Sequence, residues 1–571
     1  MYNLHQITII IFIILRLLVT FILEFYQIIK VLYCLNYINC AIFAANFLFN
    51  YFMTKYNIIN YLFSFFTGSN FIHEEDEMEN MDSVVDAAVI KSKDGTLWKE
   101  GSNTTIRKTF QCNILREMGG PTSYAKRNIS EHDVSSIFSL LIDNFIVHHI
   151  KTCTEVEARN KSGNQLWTVS TNELHKVFAI MYARGVLAKN YDINSLWSNN
   201  YGMNIFKDTM PRDRYKEIIR YLRFDLRSTR SERLKTDKFA LISVVWNKFV
   251  ENCQALFKPY ENITVDEQLF PTKARYPFTQ YMANKPDKFG IKFWIAVDNN
   301  TKYFLNGFPY LGKDDHRPSN VSLSEHVVLK LVEPFTGKGR NITTDNFFTS
   351  LNLAKTLLQK KTTLVGTVNR IRKEVPDSLK STKSPLYSTK VLTSNNITLT
   401  SYQGKKNKNV IILSSLHTNV TVSQEGKRLP ETIDTYNATK FGVDILDQKA
   451  RFYSTKVPCR RWPIQVFYNI LDFAAINASV LYNQVLNKKL SRKKFILRLV
   501  DSLSGKELQE DDNGEENINE TPLIGNKRKL SRSKCQVECK KNKTFDVCNK
   551  CLKYCCGKCT ATVTITCKKC S

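Results

Sequence analysis

Cysteine is nearly absent from the first 534 residues of this 571-residue chain, which contain six of its fifteen cysteines as isolated residues. A disulfide-rich secreted protein is short and has cysteines throughout its fold, so this distribution argues against that class. None of the nine histidines has the spacing of metal ligands, and no internal repeat is visible. The other nine cysteines lie between Cys535 and Cys570, which indicates a metal-binding module in a reducing compartment.

Acidic residues are also scarce relative to basic ones. The chain has 53 Asp and Glu against 81 Lys and Arg, which gives a net charge of +28. Such an excess of positive charge indicates a polyanionic partner. Nucleic acid is the first alternative and an anionic membrane surface is the second. The length predicts a globular protein of two to four domains.

Charges are few in the first 70 residues, where the segment from His5 to Phe66 is strongly apolar. This segment is long enough for one or two membrane spans. Its abundant Ile, Phe, Tyr, Asn, Leu and Lys are also the residues expected from translation of an AT-rich leader, with Met78 or Met81 as the true start. The alternatives are therefore a leader artefact, which we favour, and a membrane or targeting segment.

Aspartates stand at the ends of two predicted strands in the second half of the chain. The strand Ile263–Val265 runs into Asp266, and the strand Asn341–Thr344 ends at Asp345. Asp444 and Asp447 lie one helical turn apart in a predicted helix, so both can point at one site. Hard divalent cations prefer such oxygen ligands. The pattern alone also fits solvated surface acids, because any chain with 53 acids offers such a set.

A series of short motifs surrounds these acids in a fixed order: Val265-Asp266-Glu267, Asn284–Lys292, Gly307–Gly312, Thr344–Ser350, Leu364–Val368, Tyr436-Asn437, Gly442–Gln448 and Arg461-Trp462-Pro463. Together with the helical segment Pro211–Asp225, this series closely resembles the piggyBac-like transposases. The resemblance extends from roughly Asp94 to Ser571.

The resemblance implies an α+β or α/β fold: a ribonuclease-H-like catalytic domain with a β-rich insertion, a helical N-terminal region and a C-terminal cross-brace zinc domain. It implies a nuclear, metal-dependent DNA transposase that cuts and pastes at TTAA sites by nicking, hairpin formation and strand transfer. Asp266, Asp345 and Asp444 carry over as the essential acids that bind Mg²⁺ or Mn²⁺, and Asp447 matches a supporting acid.

The partners implied are double-stranded DNA, as transposon ends and TTAA target, and a second copy of the chain, with no small-molecule substrate. The alternative function is a domesticated nuclear DNA-binding protein that has lost transposition. A third alternative takes the apolar N-terminus at face value, as the anchor of a membrane protein with a basic domain.

Basic residues with an aromatic neighbour are candidates for DNA contact. Arg370, Arg372 and Lys373 follow the fifth predicted strand, where members of the family contact phosphates; the alternative is a solvated loop. Arg460, Arg461 and Trp462 suit phosphate contact and base stacking, although Trp462 fits a core anchor equally well. Among the remaining acids, Glu267 and Asp298 are expected to be structural.

The cysteine cluster supplies eight thiols in pairs at short spacings: Cys535, Cys539, Cys548, Cys551, Cys556, Cys559, Cys567 and Cys570, with Cys555 as a ninth. Eight thiolates suffice for two tetrahedral Zn²⁺ sites, and so short a segment needs metal to fold. The resemblance implies a cross-brace that pairs Cys535 and Cys539 with Cys556 and Cys559 at one zinc and the other four at the second. The family more often has His where Cys559 stands, and Cys555 competes with Cys556.

These observations predict eight segments. They are an apolar leader or membrane segment (1–70), a flexible arm (71–130), a helical DNA-binding and dimerisation region (131–260), the first catalytic part (261–375), a β-rich insertion (376–430), the second catalytic part (431–500), an acidic then basic linker (501–534) and the cysteine-rich zinc domain (535–571).

Overall fold

The computed structural model describes residues 89–100, 114–130, 133–283, 285–313, 317–506, 533–534 and 543–544. All of them belong to the unit Ala88–Ser571, one of two into which the chain divides. The predictions for the apolar segment 1–70, for residues 507–532 of the linker and for the nine cysteines after residue 534 lie outside the described residues and stay predictions. The predicted start of the linker at residue 501 is wrong, because the helix Arg492–Ser504 continues past it.

Helices form most of the first half of the described chain and recur in the second half. They are α1 (Ser123–Asn128), α2 (Val134–Leu141), α3 (Asn144–Ser162), α4 (Thr171–Leu187), α5 (Asn204–Thr209), α6 (Arg212–Tyr221), α7 (Arg227–Thr236), α8 (Ser243–Leu256), α9 (Leu323–Val332), α10 (Leu351–Gln359), α11 (Asp377–Lys380), α12 (Glu431–Thr439), α13 (Gly442–Phe452), α14 (Trp462–Val485) and α15 (Arg492–Ser504), with 3₁₀ turns at Ser195–Trp197 and Glu333–Phe335.

One large mixed sheet lies among these helices. The strands are β1 (Val89–Lys91), β2 (Leu97–Glu100), β3 (Gly120–Pro121), β4 (Phe257–Lys258), β5 (Asn262–Pro271), β6 (Gln280–Tyr281), β7 (Phe289–Asp298), β8 (Phe304–Pro309), β9 (Asn341–Thr344), β10 (Thr363–Thr367), β11 (Thr389–Ser394), β12 (Ile397–Lys405), β13 (Lys408–Ser414), β14 (Ser533–Lys534) and β15 (Lys543–Thr544). The order in the sheet is β1-β2-β11-β12-β13-β10-β9-β5-β7-β6, and β8 pairs with β7. Two short pairs, β3-β4 and β14-β15, stand apart from it.

Three parallel strands form the middle of the sheet. β9 runs parallel to both β5 and β10, whereas β7, β8 and β13 are antiparallel to their neighbours. The inward-facing Ile263, Ile342 and Leu364 are almost wholly buried, as parallel strands covered on both faces require. Because β5 and β9 are parallel and adjacent, β9 ends beside Val265, and β5 continues past the predicted strand end at Asp266 to Pro271, paired with β7.

The predicted β-rich insertion is not a separate layer, because β11, β12 and β13 continue the main sheet beyond β10. The outermost strand of this extension pairs with β2, and Leu392 stands opposite Glu100. The prediction of a flexible arm over 71–130 is therefore wrong for residues 89–100, which form a hairpin on the sheet, and for α1. The last part of the predicted β-rich insertion, after β13, has one isolated bridge, between Val422 and Pro430.

Several local features follow from short sequence signals. Ser170 and Glu173 form a capping box at the start of α4. β7 and β8 form a hairpin, and the predicted strand Asn341–Thr344 is confirmed with the expected bounds. In each case the signal is local, since a cap or a strong period of apolar residues needs no distant partner.

Helix α14 lies at the centre of the core. Within the described residues it is the one helix long and apolar enough to cross a membrane, and 94% of its apolar window is buried inside the protein. Its amides bind neighbouring backbone: Asn477 donates to the carbonyl oxygen of Phe304 at 2.9 Å and accepts from the Phe304 N–H at 2.8 Å. A helix that is apolar all round is expected in such a buried position.

Candidate active site

Two of the predicted carboxylates are placed by the strand register. Val265 on β5 pairs with Thr344 on β9, so Asp266, within β5, and Asp345, directly after β9, are the next residues of the two neighbouring segments. Asp444 reaches the same place from the first turn of α13. The three side chains line one pocket of about 200 Å³. The structure thus brings together three residues that are 79 to 178 positions apart in sequence.

Threonines fix the turn that carries Asp444. The Thr264 hydroxyl donates to the Thr439 carbonyl oxygen at 2.7 Å, and the Thr343 hydroxyl donates to the Thr439 hydroxyl oxygen at 2.8 Å. Directly after this turn, a Cβ atom added to Gly442 would lie only 2.4 Å from the Thr264 Oγ1. Glycine at this position therefore lets the start of α13 approach β5 closely, which holds Asp444 over the strand ends.

A tight turn holds Asp345. Its Oδ1 accepts the backbone N–H of Phe347 at 2.9 Å, and its carbonyl oxygen accepts the Thr349 hydroxyl at 2.7 Å. The Thr349 hydroxyl also lies 2.7 Å from that of Thr344, the last residue of β9. The motif Thr344–Ser350 thus forms a turn that fixes this carboxylate directly after its strand.

Negative charge accumulates in the pocket. The pKa of Asp266 is well above its usual value, first because burial disfavours the charged form and then because Glu267, Asp345 and Asp444 are close. Burial likewise raises the pKa of Asp345. Asp266 accepts one backbone hydrogen bond, from Glu267 at 2.8 Å. The pocket therefore concentrates like charges with little internal compensation, the electrostatic pattern of a cation-binding site.

Lys440 is the one basic side chain that lines this pocket in the described part of the chain. Its ammonium lies 5.1 Å and 4.8 Å from the ring centres of Tyr436 and Phe441, and it donates to Asn437 Oδ1 at 2.7 Å. Burial lowers its pKa. Sequence reasoning did not single out Lys440, although its position one helical turn before Asp444 was a usable signal.

Asp447 does not line the pocket, although its spacing from Asp444 allowed it to. Its Oδ1 accepts a hydrogen bond from Gln268 at 2.8 Å, and its Oδ2 pairs with Arg451 at 2.9 Å. Arg451 also binds the Leu269 carbonyl oxygen at 3.2 Å. These contacts join α13 to β5. The position of Asp447 therefore fits a residue that supports the helix carrying Asp444.

In the described residues, no three or more His, Cys, Asp or Glu side chains are close enough together to hold a metal ion. The chemistry of the pocket nevertheless fits a divalent cation, because Asp266, Asp345 and Asp444 offer only hard oxygen ligands. Their mutual repulsion, which raises the pKa of Asp266, is the interaction that such a cation would relieve.

The predicted DNA-contacting residues lie in two surroundings. Arg370, Lys373 and Arg460 are exposed, and Arg372 is half-buried. Arg461 instead donates to the carbonyl oxygens of Arg220 and Leu222, at 3.1 and 3.2 Å, where α6 ends. Trp462 is 9% exposed and stacks on Phe239 with ring centres 5.5 Å apart. Trp462 thus lies in the core, which was one of its two predicted alternatives. DNA contact by these residues stays a prediction.

The fold and the acidic pocket define a protein of the transposase class, and comparison with known proteins agrees. A family model described as Transposase IS4 matches residues 133–479. A cryo-EM structure of the piggyBac transposase synaptic complex with hairpin DNA is similar over 80% of this chain and all of that chain, with 31% identity and a TM-score of 0.65. The chain belongs to the piggyBac-type transposase family.

Curated human relatives are more distant. The human PiggyBac transposable element-derived protein 3 is 24% identical over 311 residues, which are 51% of this chain and 51% of that protein. The human Chimeric ERCC6-PGBD3 protein matches at the same identity over 29% of its length. The chain thus spans about half, or less, of the curated relatives it matches.

Proposed function

We propose that this chain is a DNA transposase whose nuclease domain has the ribonuclease-H-like fold. The observation that carries the proposal is the pocket in which Asp266, within β5, and Asp345, directly after the parallel neighbour β9, meet Asp444 from a later helix. The strand order β8-β7-β5-β9-β10 agrees with that fold. In it β7 is antiparallel to both β5 and β8, whereas β5, β9 and β10 run parallel.

Asp266, Asp345 and Asp444 would hold divalent metal, Mg²⁺ or Mn²⁺. Two such ions about 4 Å apart activate an attacking hydroxyl and stabilise the leaving oxygen in phosphodiester chemistry. The chain's own residues position the acids: the Thr264–Thr439 hydrogen bond and Gly442 place Asp444, and the turn after β9 places Asp345. Asp447 would support Asp444 through Gln268 and Arg451.

The resemblance to piggyBac-like transposases supports the finer steps: nicking at the transposon end, hairpin formation and strand transfer into TTAA targets. The similar structure is a synaptic complex with hairpin DNA. The net charge of +28 and the exposed Arg370, Lys373 and Arg460 suit a DNA partner, since cations that neutralise phosphates release counterions. A nuclear location and a dimer of this chain complete the proposal.

The second candidate is a domesticated DNA-binding protein that no longer transposes. One human relative, about half covered by the match, is named as derived from a transposable element. An intact set of acids does not decide between the two, because such a set is necessary for catalysis without being sufficient. Terminal inverted repeats and TTAA duplications flanking the gene would favour the mobile element.

An excision assay on a donor flanked by the element's own ends tests the catalytic assignment. Asp345→Asn should abolish Mg²⁺-dependent nicking and strand transfer while end binding is retained, because this acid is assigned to metal and not to DNA. The matched control Asp213→Asn replaces a highly exposed acid on α6 and should leave excision unchanged. Near-wild-type excision by Asp345→Asn would show that the metal-site assignment is wrong.

We further propose that the cysteine cluster binds two Zn²⁺ ions and contributes to the binding of transposon ends. Support comes from the spacing of the eight cysteines and from the Lys and Arg around them. Metal analysis of protein purified without chelator should find about two zinc ions per chain. Cys548→Ser should lower the zinc content and the end affinity and leave Mg²⁺-dependent nicking intact. Protein without zinc, or undiminished end binding after removal of residues 521–571, would contradict this assignment.

A further inference from the structure

An aromatic ring stands uncovered beside the acidic pocket. Phe347 follows Asp345 by two residues, and its side chain is 42% exposed. Phe348, the next residue, is fully buried. A single exposed apolar side chain is ordinary on a protein surface and by itself indicates nothing. The way in which this ring is held distinguishes it from such a case.

Phe347 is held by neighbouring side chains. Its ring stacks on that of Trp294, with centres 5.7 Å apart and an angle of 11° between planes. Trp294 is 2% exposed, and the Lys292 ammonium lies 3.8 Å from its ring centre and 5.5 Å from that of Phe347. Phe348 meets Phe347 edge-on, at 5.0 Å and 86°. In the described part of the chain Trp294 is the one ring stacked on Phe347, whose 42% exposure leaves it open to a second partner.

The backbone of Phe347 is also fixed on both sides. Its N–H donates to Asp345 Oδ1 at 2.9 Å, and its carbonyl oxygen accepts from Arg372 Nη2 at 3.3 Å. Arg372 in turn lies 3.8 Å from Glu374. One hydrogen bond thus couples the ring's position to a carboxylate of the pocket, and the other couples it to a predicted DNA-contacting arginine.

We propose that the open face of Phe347 stacks an unpaired nucleobase next to the phosphate that is cut in the acidic pocket. A nucleobase is flat and has a π-face that suits a rigid aromatic platform, and such stacking is used without regard to sequence. The exposed cations Arg370 and Lys373 follow β10, and Arg370 lines one pocket with Asn346, the residue before Phe347, so that it suits a phosphate of the same strand.

The inference rests on the proposed function, because it assumes a DNA strand in the pocket. Hairpin formation at a DNA end leaves bases near the tip without pairing partners, and Phe347 could stack one of these bases. A base held on Phe347 would keep the adjoining phosphodiester in register with Asp345, since only two residues separate ring and carboxylate. Phe347 is accordingly a positioning residue and makes no bond to the reacting atoms.

Stacking can be measured directly with 2-aminopurine, whose fluorescence is quenched when it stacks. The probe is a duplex of the element's own terminal sequence closed by a TTAA hairpin, with one loop adenine replaced by 2-aminopurine. Wild-type protein and Phe347→Trp should quench the probe, whereas Phe347→Leu should leave it bright. Hairpin formation and resolution should fall about tenfold in Phe347→Leu, the loss of one base–aromatic stack, and recover in Phe347→Trp.

Matched controls separate stacking from a structural effect. Phe452→Leu alters another exposed phenylalanine, 63% exposed on α13 and outside the lining of the pocket, and should leave quenching and cleavage unchanged. Mn²⁺ should stabilise Phe347→Leu against heat as much as it does the wild type, since the carboxylates are untouched.

Three outcomes would overturn the inference: Phe347→Leu quenches and cleaves like the wild type, Phe347→Trp fails to restore either property, or Phe347→Leu loses stabilisation by Mn²⁺. A wild-type protein that quenches the probe without any metal-dependent cleavage would instead contradict the proposed function and leave the stacking site standing.

Discussion

Two kinds of carboxylate differ in this fold, the buried Asp472 and Asp298 and the half-buried Asp266 of the pocket. Asp472 on α14 accepts hydrogen bonds from the Ser454 hydroxyl at 2.5 Å and from the N–H and hydroxyl of Thr455 at 2.8 and 2.9 Å. Asp298 at the end of β7 similarly accepts three, from Tyr260 and Thr301. Asp266, by contrast, accepts one and faces other carboxylates.

The difference separates structural acids from acids placed for a ligand. Donors around Asp472 and Asp298 tie together distant parts of the chain, and the acid is satisfied within the protein. Within the described chain, the pocket acids accept hydrogen bonds only from backbone N–H groups within three residues, Glu267 for Asp266 and Phe347 for Asp345, so their charge is available to a cation. Asp298 thereby has the structural role expected from the sequence. The following substitutions test this contrast.

Asp472→Ala should cause the largest loss of stability. It would leave the Ser454 hydroxyl and the Thr455 N–H without an acceptor in the core and create a cavity beside α14, whereas the Thr455 hydroxyl keeps the Tyr468 carbonyl oxygen at 3.3 Å. The free energy of unfolding should fall by about 3 kcal/mol. Urea denaturation followed by far-UV circular dichroism checks this, and Asp472→Asn, which keeps the shape, should lose less. A loss below that of a typical surface substitution would contradict a structural role for Asp472.

Gly442→Ala should be nearly as damaging, through the geometry of the pocket. The added methyl group would lie 2.4 Å from Thr264 Oγ1 and 2.6 Å from its Cβ, so α13 must move away from β5. Such overpacking costs about 1–3 kcal/mol. DNA cleavage should fall with the stability, because Asp444 moves with the helix. Full cleavage activity in a stable variant would show that the close approach at Gly442 does not position Asp444.

Asp266→Asn should stabilise the metal-free protein instead of destabilising it. Removing one of several repelling carboxylates should raise the metal-free free energy of unfolding by about 1 kcal/mol, at the expense of function. Mg²⁺ or Mn²⁺ should raise the melting temperature of the wild type and leave that of the variant nearly unchanged. Thermal denaturation with and without metal measures both effects. A variant less stable than the wild type in the absence of metal would place Asp266 with the structural acids.

The sequence predicted these acids as candidates, but only in part how they meet. Strands next to Asp266 and Asp345 were visible locally, although β5 continues to Pro271, and their adjacency depends on the parallel pairing of β5 with β9, which no local pattern contains. Asp447 illustrates the limit. Helical spacing allowed it to face the pocket, yet Gln268, a tertiary contact, and Arg451, four residues further along the same helix, hold its two oxygens.

The same limit applies to the sheet extension and to Phe347. Alternation predicted strands between residues 376 and 430, but not that they extend the main sheet or receive the hairpin formed by residues 89–100. Phe347 was visible only as part of a motif, because its exposure depends on how Trp294 and Phe348 pack around it. Pairing partners and exposure are properties of the assembled fold.

The smallest expected effect is a pH dependence that again sets Asp472 apart. Burial raises the pKa of Asp472 to about 7, despite the hydrogen bonds from Ser454 and Thr455 that favour its charged form. The pKa in the unfolded chain is lower, so the folded state binds the proton more tightly between the two values. This contribution to stability is fully present below the unfolded pKa and is lost as the pH rises through about 7. Between pH 6 and pH 8 the wild type should therefore lose about 1 kcal/mol relative to Asp472→Asn, whose amide does not titrate. Urea denaturation of both proteins at the two pH values gives the difference. Parallel pH profiles for the two proteins would show that Asp472 keeps one charge state across this range.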